Sequence, residues 1–448
     1  MLIKYLFHRI SNQRNRYGSI IIAIFLTIFV VFPCRSELIR SGTLTTDETW
    51  TTADSPVVIP SNVTISEGIE IKIKAGTELR LGERASITVQ GRLDAVGHMD
   101  HPIVIQSEGN GRWGTLSFEQ TAAGSLSHCI VNRGSTGSGN RIGMVSVYRC
   151  AGAVTISDCT FTNWPDDFNS KAVEIYHSPN VRVSRCYFGE GRNEAVHGVN
   201  SPAVVEYNIF ARRFGYSDAV DIGNTTNPGP IIRRNVFLGS DDDAIDLDEC
   251  DAYVEGNLVM NCRGGNNDPN GISGDQNARP IIVNNIVLNC ESGIGFKNGA
   301  QITVINNTII NCDRGIWLHQ NPTHARVINT IIWGEETQVP VKLEPGSTID
   351  ISYSIVQGND VYPGTGNLNS HPRFIDEENG MYGLSSESPA IDAGWGGEGI
   401  LPYDFHGNER SDISFIPNTG AGIPHFIDIG AIEFIPPATW VKDWRRLH

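Results

Sequence analysis

The segment Asp241-Asp242-Asp243-Ala244-Ile245-Asp246-Leu247-Asp248-Glu249 places six carboxylates in nine residues, and Asp218, Asp221, Asp268 and Asp275 lie to either side of it. Acids at this density either solvate a turn, hold a hard cation, or keep some of their protons at neutral pH. Like charges stacked about 5 Å apart cost roughly 1 kcal/mol per pair in water and several times that when partly desolvated. A cation or a raised carboxyl pKa relieves that cost. An all-oxygen donor set suits Ca²⁺ better than Zn²⁺. The His and Met residues are too scattered along the chain for copper or zinc to be the first expectation.

What positions these acids is a short repeat. A Cys or Asn, one variable residue and an apolar residue recur at Cys129, Cys159, Cys186, Asn208, Asn235, Asn257, Asn285, Asn307 and Asn329, with Ser354 as a weaker tenth copy. The intervals run from 22 to 30 residues. Earlier in each copy stands a second frame, such as Ala172-Val173-Glu174-Ile175, Ala219-Val220-Asp221-Ile222 and Gly315-Ile316-Trp317-Leu318. No run keeps a helical period for three turns, whereas β-branched residues alternate between Gly, Asn and Asp. Copies this small cannot bury their own apolar faces and must stack, which predicts an all-β parallel solenoid with equivalent residues in columns.

One outward column is then Ser146, Glu174, His197, Asp221, Asp246, Ser273, Gly295 and Trp317. A second, two residues on, holds Tyr176, Val199, Gly223, Asp248, Asp275, Lys297 and His319. A third, three residues before the first, holds Lys171, Glu194, Asp218, Asp243, Asn270, Ser292 and Arg314. The face from Glu174 and His197 to Trp317 and His319 is the expected substrate-binding face, the last two being suited to stack on and bond to a sugar ring. Cys129, Cys159 and Cys186 stack, as do Cys262, Cys290 and Cys312. Two rows of three cannot pair fully, so buried thiol ladders are expected over disulfides. The Asn column is expected to bond from coil to coil.

Of 448 residues, 40% are hydrophobic and 47 are Gly, which excludes a disordered chain and favours many turns. The net charge of −16 disfavours nucleic acid and anionic lipid and attracts divalent cations. Lys4, Arg9, Arg14 and Arg16 precede an apolar run from Ile20 to Phe32, the pattern of an export signal too short to span a membrane. The expected segments are a signal at 1–36, a cap with the first coils at 37–125, the repeat domain at 126–369, a closing segment at 370–436 and a tail at 437–448. The chain is expected to be secreted, periplasmic or at the cell surface, monomeric, and without membrane contact beyond the signal segment.

Val63-Thr64-Ile65, Gly76-Thr77-Glu78-Leu79 and Trp113-Gly114-Thr115-Leu116 resemble the opening coils of secreted bacterial β-helix proteins. Ser388-Pro389-Ala390-Ile391-Asp392-Ala393-Gly394, then Asp404, Gly407 and Arg410, then Asp428-Ile429-Gly430-Ala431-Ile432-Glu433, resemble the segment that closes them. On these motifs the chain resembles the pectin-lyase-like superfamily of right-handed parallel β-helices along nearly all of its mature length. Similarity to its polygalacturonase-type glycoside hydrolases would give Asp218, Asp242 and Asp243 the acid and base work and Lys297 the grip on a uronate carboxylate. Asn270 and Gly295 stand where those hydrolases carry His and Arg. Similarity to its calcium-dependent polysaccharide lyases would instead give Asp221, Asp246, Asp248 and Asp275 to Ca²⁺ and make Lys297 the base. The partner implied is an acidic, uronate-containing polysaccharide; a non-catalytic carbohydrate-binding or structural surface protein is the alternative.

Overall fold

Strict alternation decides which residues enter the core. The strand Glu70–Lys74 buries Ile71 and Ile73 and leaves Lys72 and Lys74 exposed, and Glu78–Leu81 buries both leucines in the same way. In the computed structural model such strands stack in register, all parallel, into three sheets of 14, 13 and 13 strands. The described residues are 37–166, 170–265, 268–320 and 322–436; the expected signal segment and tail lie outside them. The first sheet begins at Leu38–Ile39, the second at Gly42–Leu44 and the third at Glu48–Trp50, and the chain visits them in turn, one coil after another. This is a right-handed parallel β-helix. The lead-in strands from Leu38 onward belong to the same three stacks. Among the described residues no helix is long and apolar enough to cross a membrane.

The interior is a set of one-residue columns. Phe161, Phe188, Phe210 and Phe237 stack with ring centroids 5.1, 4.8 and 4.7 Å apart and nearly parallel planes, which is the spacing of neighbouring strands. Cys129, Cys159, Cys186, Cys262, Cys290 and Cys312 are buried free thiols, as are Cys150 and Cys250. From Asn208 through Asn235, Asn257 and Asn285 to Asn307, each Nδ2 donates to the next Oδ1 at 2.9 to 3.0 Å, and each backbone N–H donates to the same oxygen. The ladder continues through Thr330 and Ser354 to Asn367. Asn329 is therefore not its ninth member. It occupies the preceding corner column, where His128, Asp158, Arg185, Tyr207, Arg234, Asn284, Asn306 and Asn329 all take positive φ near 50 to 57°. The Asn284-Asn285 and Asn306-Asn307 doublets fill both columns, and this makes the spacing ambiguous by one residue at Asn329.

The closing segment ties its three motifs into one knot. Asp392 and Phe434 donate backbone N–H groups to Asp428, Glu433 and Asn408 donate theirs to Asp404, and Arg410 pairs with buried Glu433 at 3.0 Å. The knot lies back along the corner column. Asn306 Nδ2 donates to the Asp428 and Gly430 carbonyls, Asn329 Nδ2 to Trp395, and Asn284 Nδ2 to Tyr403. Arg234 reaches the Phe405 carbonyl.

Candidate functional site

The second sheet carries the expected columns in register. Ser146, Glu174, His197, Asp221, Asp246, Ser273, Gly295 and Trp317 pair consecutively, and Lys342 follows Trp317. Tyr176, Val199 and Gly223 pair in the second column, as do Lys297 and His319 at its far end.

At the upstream end Glu174, His197 and Asp221 meet. Glu174 Oε2 lies 2.8 Å from His197 Nδ1, and Asp221 Oδ2 lies 3.6 Å from Nε2. Burial alone would lower the His197 pKa, but the bond to Glu174 and the charges of Asp221 and Glu174 outweigh it and the pKa is raised. Lys171 and Glu194 form an ion pair beside them, and burial lowers the Lys171 pKa.

In the middle, Asp218 is shared by two convergent carboxylate groups. Its oxygens come within 4.8 Å of those of Glu194 and Asp221, and likewise of those of Asp242 and Asp243. Burial, then the charges of Asp246, Asp243, Asp242 and Asp221, push the Asp218 pKa well up. Asp243 is bonded at both oxygens. Its Oδ1 accepts the Asn270 backbone N–H at 2.6 Å and Nδ2 at 2.9 Å, and its Oδ2 accepts the Ser273 hydroxyl at 2.5 Å. Ser273 Oγ also lies 2.9 Å from Asp246 Oδ1. One hydroxyl proton cannot serve two carboxylates, so a proton on one of the acids completes the bridge. Burial and the Asp242 charge raise Asp243 to about 7, and burial with Asp243 and Asp248 raises Asp246 well above its ordinary value.

Downstream the acids thin out. Asp248 is raised to about 6, by burial first and by Asp275 second. Lys297 Nζ stands 3.8 Å from Asp275 Oδ2. Gly295 leaves room for the Asn270 amide, since a Cβ there would lie 2.1 Å from Asn270 Oδ1. Trp317 is only 6% exposed. His319 stacks on its ring at 3.8 Å, with the Arg314 guanidinium at 4.2 Å and Lys342 Nζ at 4.4 Å. The ring is packed rather than presented as an open sugar platform.

All the residues expected from the sequence thus lie on one face, but they form three local groups rather than one. The converging oxygens belong to Glu194, Asp218, Asp221, Asp242 and Asp243, not to the quartet Asp221, Asp246, Asp248 and Asp275. Asp246 turns to Ser273 and to the Leu247 N–H, and Asp275 to the Gln276 N–H. Glu194 and Ser273 complete the groups. Both fall in the predicted columns, and only their chemistry went unread. A hollow of about 470 Å³ lined by Asp166, Glu190, Arg192, Phe214 and Asp241 includes the residue before Asp242. A larger one of about 650 Å³, lined by Thr226, Glu249, Asp251, Asn277 and Arg279, shares none of the expected residues.

Fold and face together define a right-handed parallel β-helix with an acidic wall on its second sheet. Within that class, residues 133–370 match the family described as "Periplasmic copper-binding protein (NosD)", and the chain belongs to this family. Solved structures share the fold at low identity. Pectate lyase Pel9A is 14% identical, with 83% of this chain and 89% of that one covered and a TM-score of 0.34. The periplasmic alginate epimerase AlgG is 14% identical, with 76% of each chain covered and a TM-score of 0.39. Tailspike protein 3 of bacteriophage CBA120 is 14% identical, with 67% and 54% covered and a TM-score of 0.43. No curated protein matches the chain.

Proposed function

We propose that the chain works outside the cytoplasm and holds an acidic polysaccharide along the second-sheet face from Glu174 to His319, with Ca²⁺ bridging its carboxylates to those of the sugar. The observation that carries this reading is the sharing of Asp218 between two converging carboxylate groups. A uronate cannot approach such a wall unaided, and a hard cation with six to eight oxygen ligands serves both partners. The periplasmic place in the family's description supports the location.

Cleavage is the extension of this reading. Asp243, held near 7, has the protonation range of a general acid, and Lys297 at the downstream edge is placed to meet a carboxylate or a proton beside one. Copper, which the family's description names, does not fit this wall. Its donors are oxygens with one partly covered imidazole, and the described cysteines are all buried in the core.

Calorimetric titration of the chelator-stripped protein with Ca²⁺, beside an ultraviolet screen for unsaturated uronates on pectate, alginate and glycosaminoglycans, tests the proposal. Ca²⁺ uptake that is lost in Asp218→Asn and is needed for polysaccharide binding supports it. Polysaccharide binding without product establishes a binder rather than a lyase. Absence of both Ca²⁺ uptake and polysaccharide binding sinks it.

A further inference from the structure

Upstream of the acids, the second outward column carries a pair of tyrosines. Tyr148 and Tyr176 are register partners on adjacent coils, both half-buried, and their rings stack 5.5 Å apart with planes 10° from parallel. Their upstream side is closed. Glu119, the register partner before Tyr148, holds the Arg141 guanidinium at 2.5 and 2.9 Å, and that guanidinium lies 4.0 Å from the Tyr148 ring centre. Downstream the column falls away. Val199 follows Tyr176 and Gly223 follows Val199, and neither side chain is large enough to cover a phenol ring. Asp248 stands next, its Cβ 3.7 Å from where a Cβ on Gly223 would be. Coils repeat about every 4.8 Å, which leaves roughly 14 Å from Tyr176 to Asp248 with a single valine side chain between them. His177, on the same coil as Tyr176, meets its ring crosswise at 66° with centroids 4.3 Å apart and borders it at the side.

We infer that this bay is a sugar subsite, in which a pyranose ring lies on Tyr176 as the next rung of the stack, over Val199, with hydroxyls turned to Asp221 and Asp248. The inference rests on the polysaccharide reading above and supplies the stacking residue that the packed Trp317 is not. Rings on an aromatic face stand about 4.5 to 7 Å from it, so the C–H face of a pyranose fits the rung that the coil spacing leaves. The rim supplies the polar contacts. His197 lies two residues before Val199 and Asp221 two before Gly223, so both point outward on the same strands about 7 Å to one side. Glu174 engages His197 at Nδ1, and Nε2 stands 3.6 Å from Asp221 Oδ2. Asp221 and Asp248 are acceptors, which suits hydroxyl donors. An apolar partner would leave both acids without one. A carboxylate seated between them would need its own cation, whereas hydroxyls do not. The stacked residue is therefore held by its ring face and its neutral edge, without calling on the Ca²⁺ ligands.

The test is calorimetric titration of the full chain with hexamers of pectate and of alginate, beside Ca²⁺ titration of the same variants. Tyr176→Ala should weaken the fragment that binds at least about ten-fold, and Tyr176→Phe should hold its affinity within about two-fold. Val199→Tyr extends the tyrosine stack by one rung into the bay and should weaken the fragment by at least as much. Ca²⁺ uptake should be the same in all three as in the parent. Far-UV circular dichroism checks the fold; should Tyr176→Ala lose it, Val199→Tyr carries the same reading. An unchanged fragment affinity in Tyr176→Ala and Val199→Tyr overturns the subsite and leaves the Ca²⁺ reading of the acidic wall standing. A parent protein that takes up neither fragment overturns the subsite together with the polysaccharide reading.

Discussion

Glu174 Oε2 and His197 Nδ1 sit 2.8 Å apart on successive coils, with Glu174 buried and His197 partly covered. The pair stabilises the fold most when His197 is charged. Its folded pKa is raised above the ordinary 6.5, so the contribution is full below 6.5 and is lost as pH rises through the higher folded value. His197→Gln should therefore cost about 1 to 2 kcal/mol near pH 6 and much less near pH 9. Urea denaturation at the two pH values reads this difference, and an equal cost at both would remove the ion pair from the account.

Asp243 behaves in the same sense for the opposite reason. Its folded pKa of about 7 stands above the unfolded 3.8, so stability falls as pH rises between these values and levels off above the upper one. Asp243→Asn keeps an oxygen for Asn270 and should stabilise the metal-free protein on the order of 2 kcal/mol near pH 8. The gain should vanish near pH 4. A loss of stability at the higher pH would show that its hydrogen bonds outweigh its buried charge.

Ca²⁺ should reverse the high-pH penalty. At 100 times its dissociation constant a ligand bound only by the folded state adds about 2.7 kcal/mol. Thermal melts near pH 8 should rise with Ca²⁺ in the parent protein and stay flat in Asp218→Asn, which takes one oxygen-only ligand from both converging groups.

The Asn ladder predicts a local break. Asn257→Ala deprives Asn235 of the acceptor for both its backbone N–H and its Nδ2, each at 3.0 Å. A buried donor left without a partner costs about 1 to 3 kcal/mol, so the variant should lose about 3 kcal/mol or more. A change within a few tenths would mean that water fills the gap.

The eight described cysteines are buried thiols, and none should react with a thiol reagent in the native protein. All eight should react in denaturant without reductant. Fewer than eight would reveal disulfides in the columns.

Much of this was legible because a solenoid turns sequence spacing into position. The alternation in Glu70–Lys74 fixed the core face, and the interval between repeats fixed the columns through Glu174, His197, Asp221 and Asp246. What spacing could not give was the direction of each carboxylate. Asp246 belongs to the right column but turns to Ser273, while Glu194, three positions earlier on its coil, turns toward Asp218. Trp317 was placed correctly, but its cover of Arg314, His319 and Lys342 depends on side-chain paths that period arithmetic does not carry.

A stack of coils in which each touches only its neighbours peels from its ends like a loose spring. The returning closing segment removes that freedom here, since it is bonded to Arg234, Asn284, Asn306 and Asn329 on four separate coils. A protease or a pulling force acting at the downstream end must detach this strap before any single coil can unwind. The downstream half should therefore yield as one block, abruptly and late.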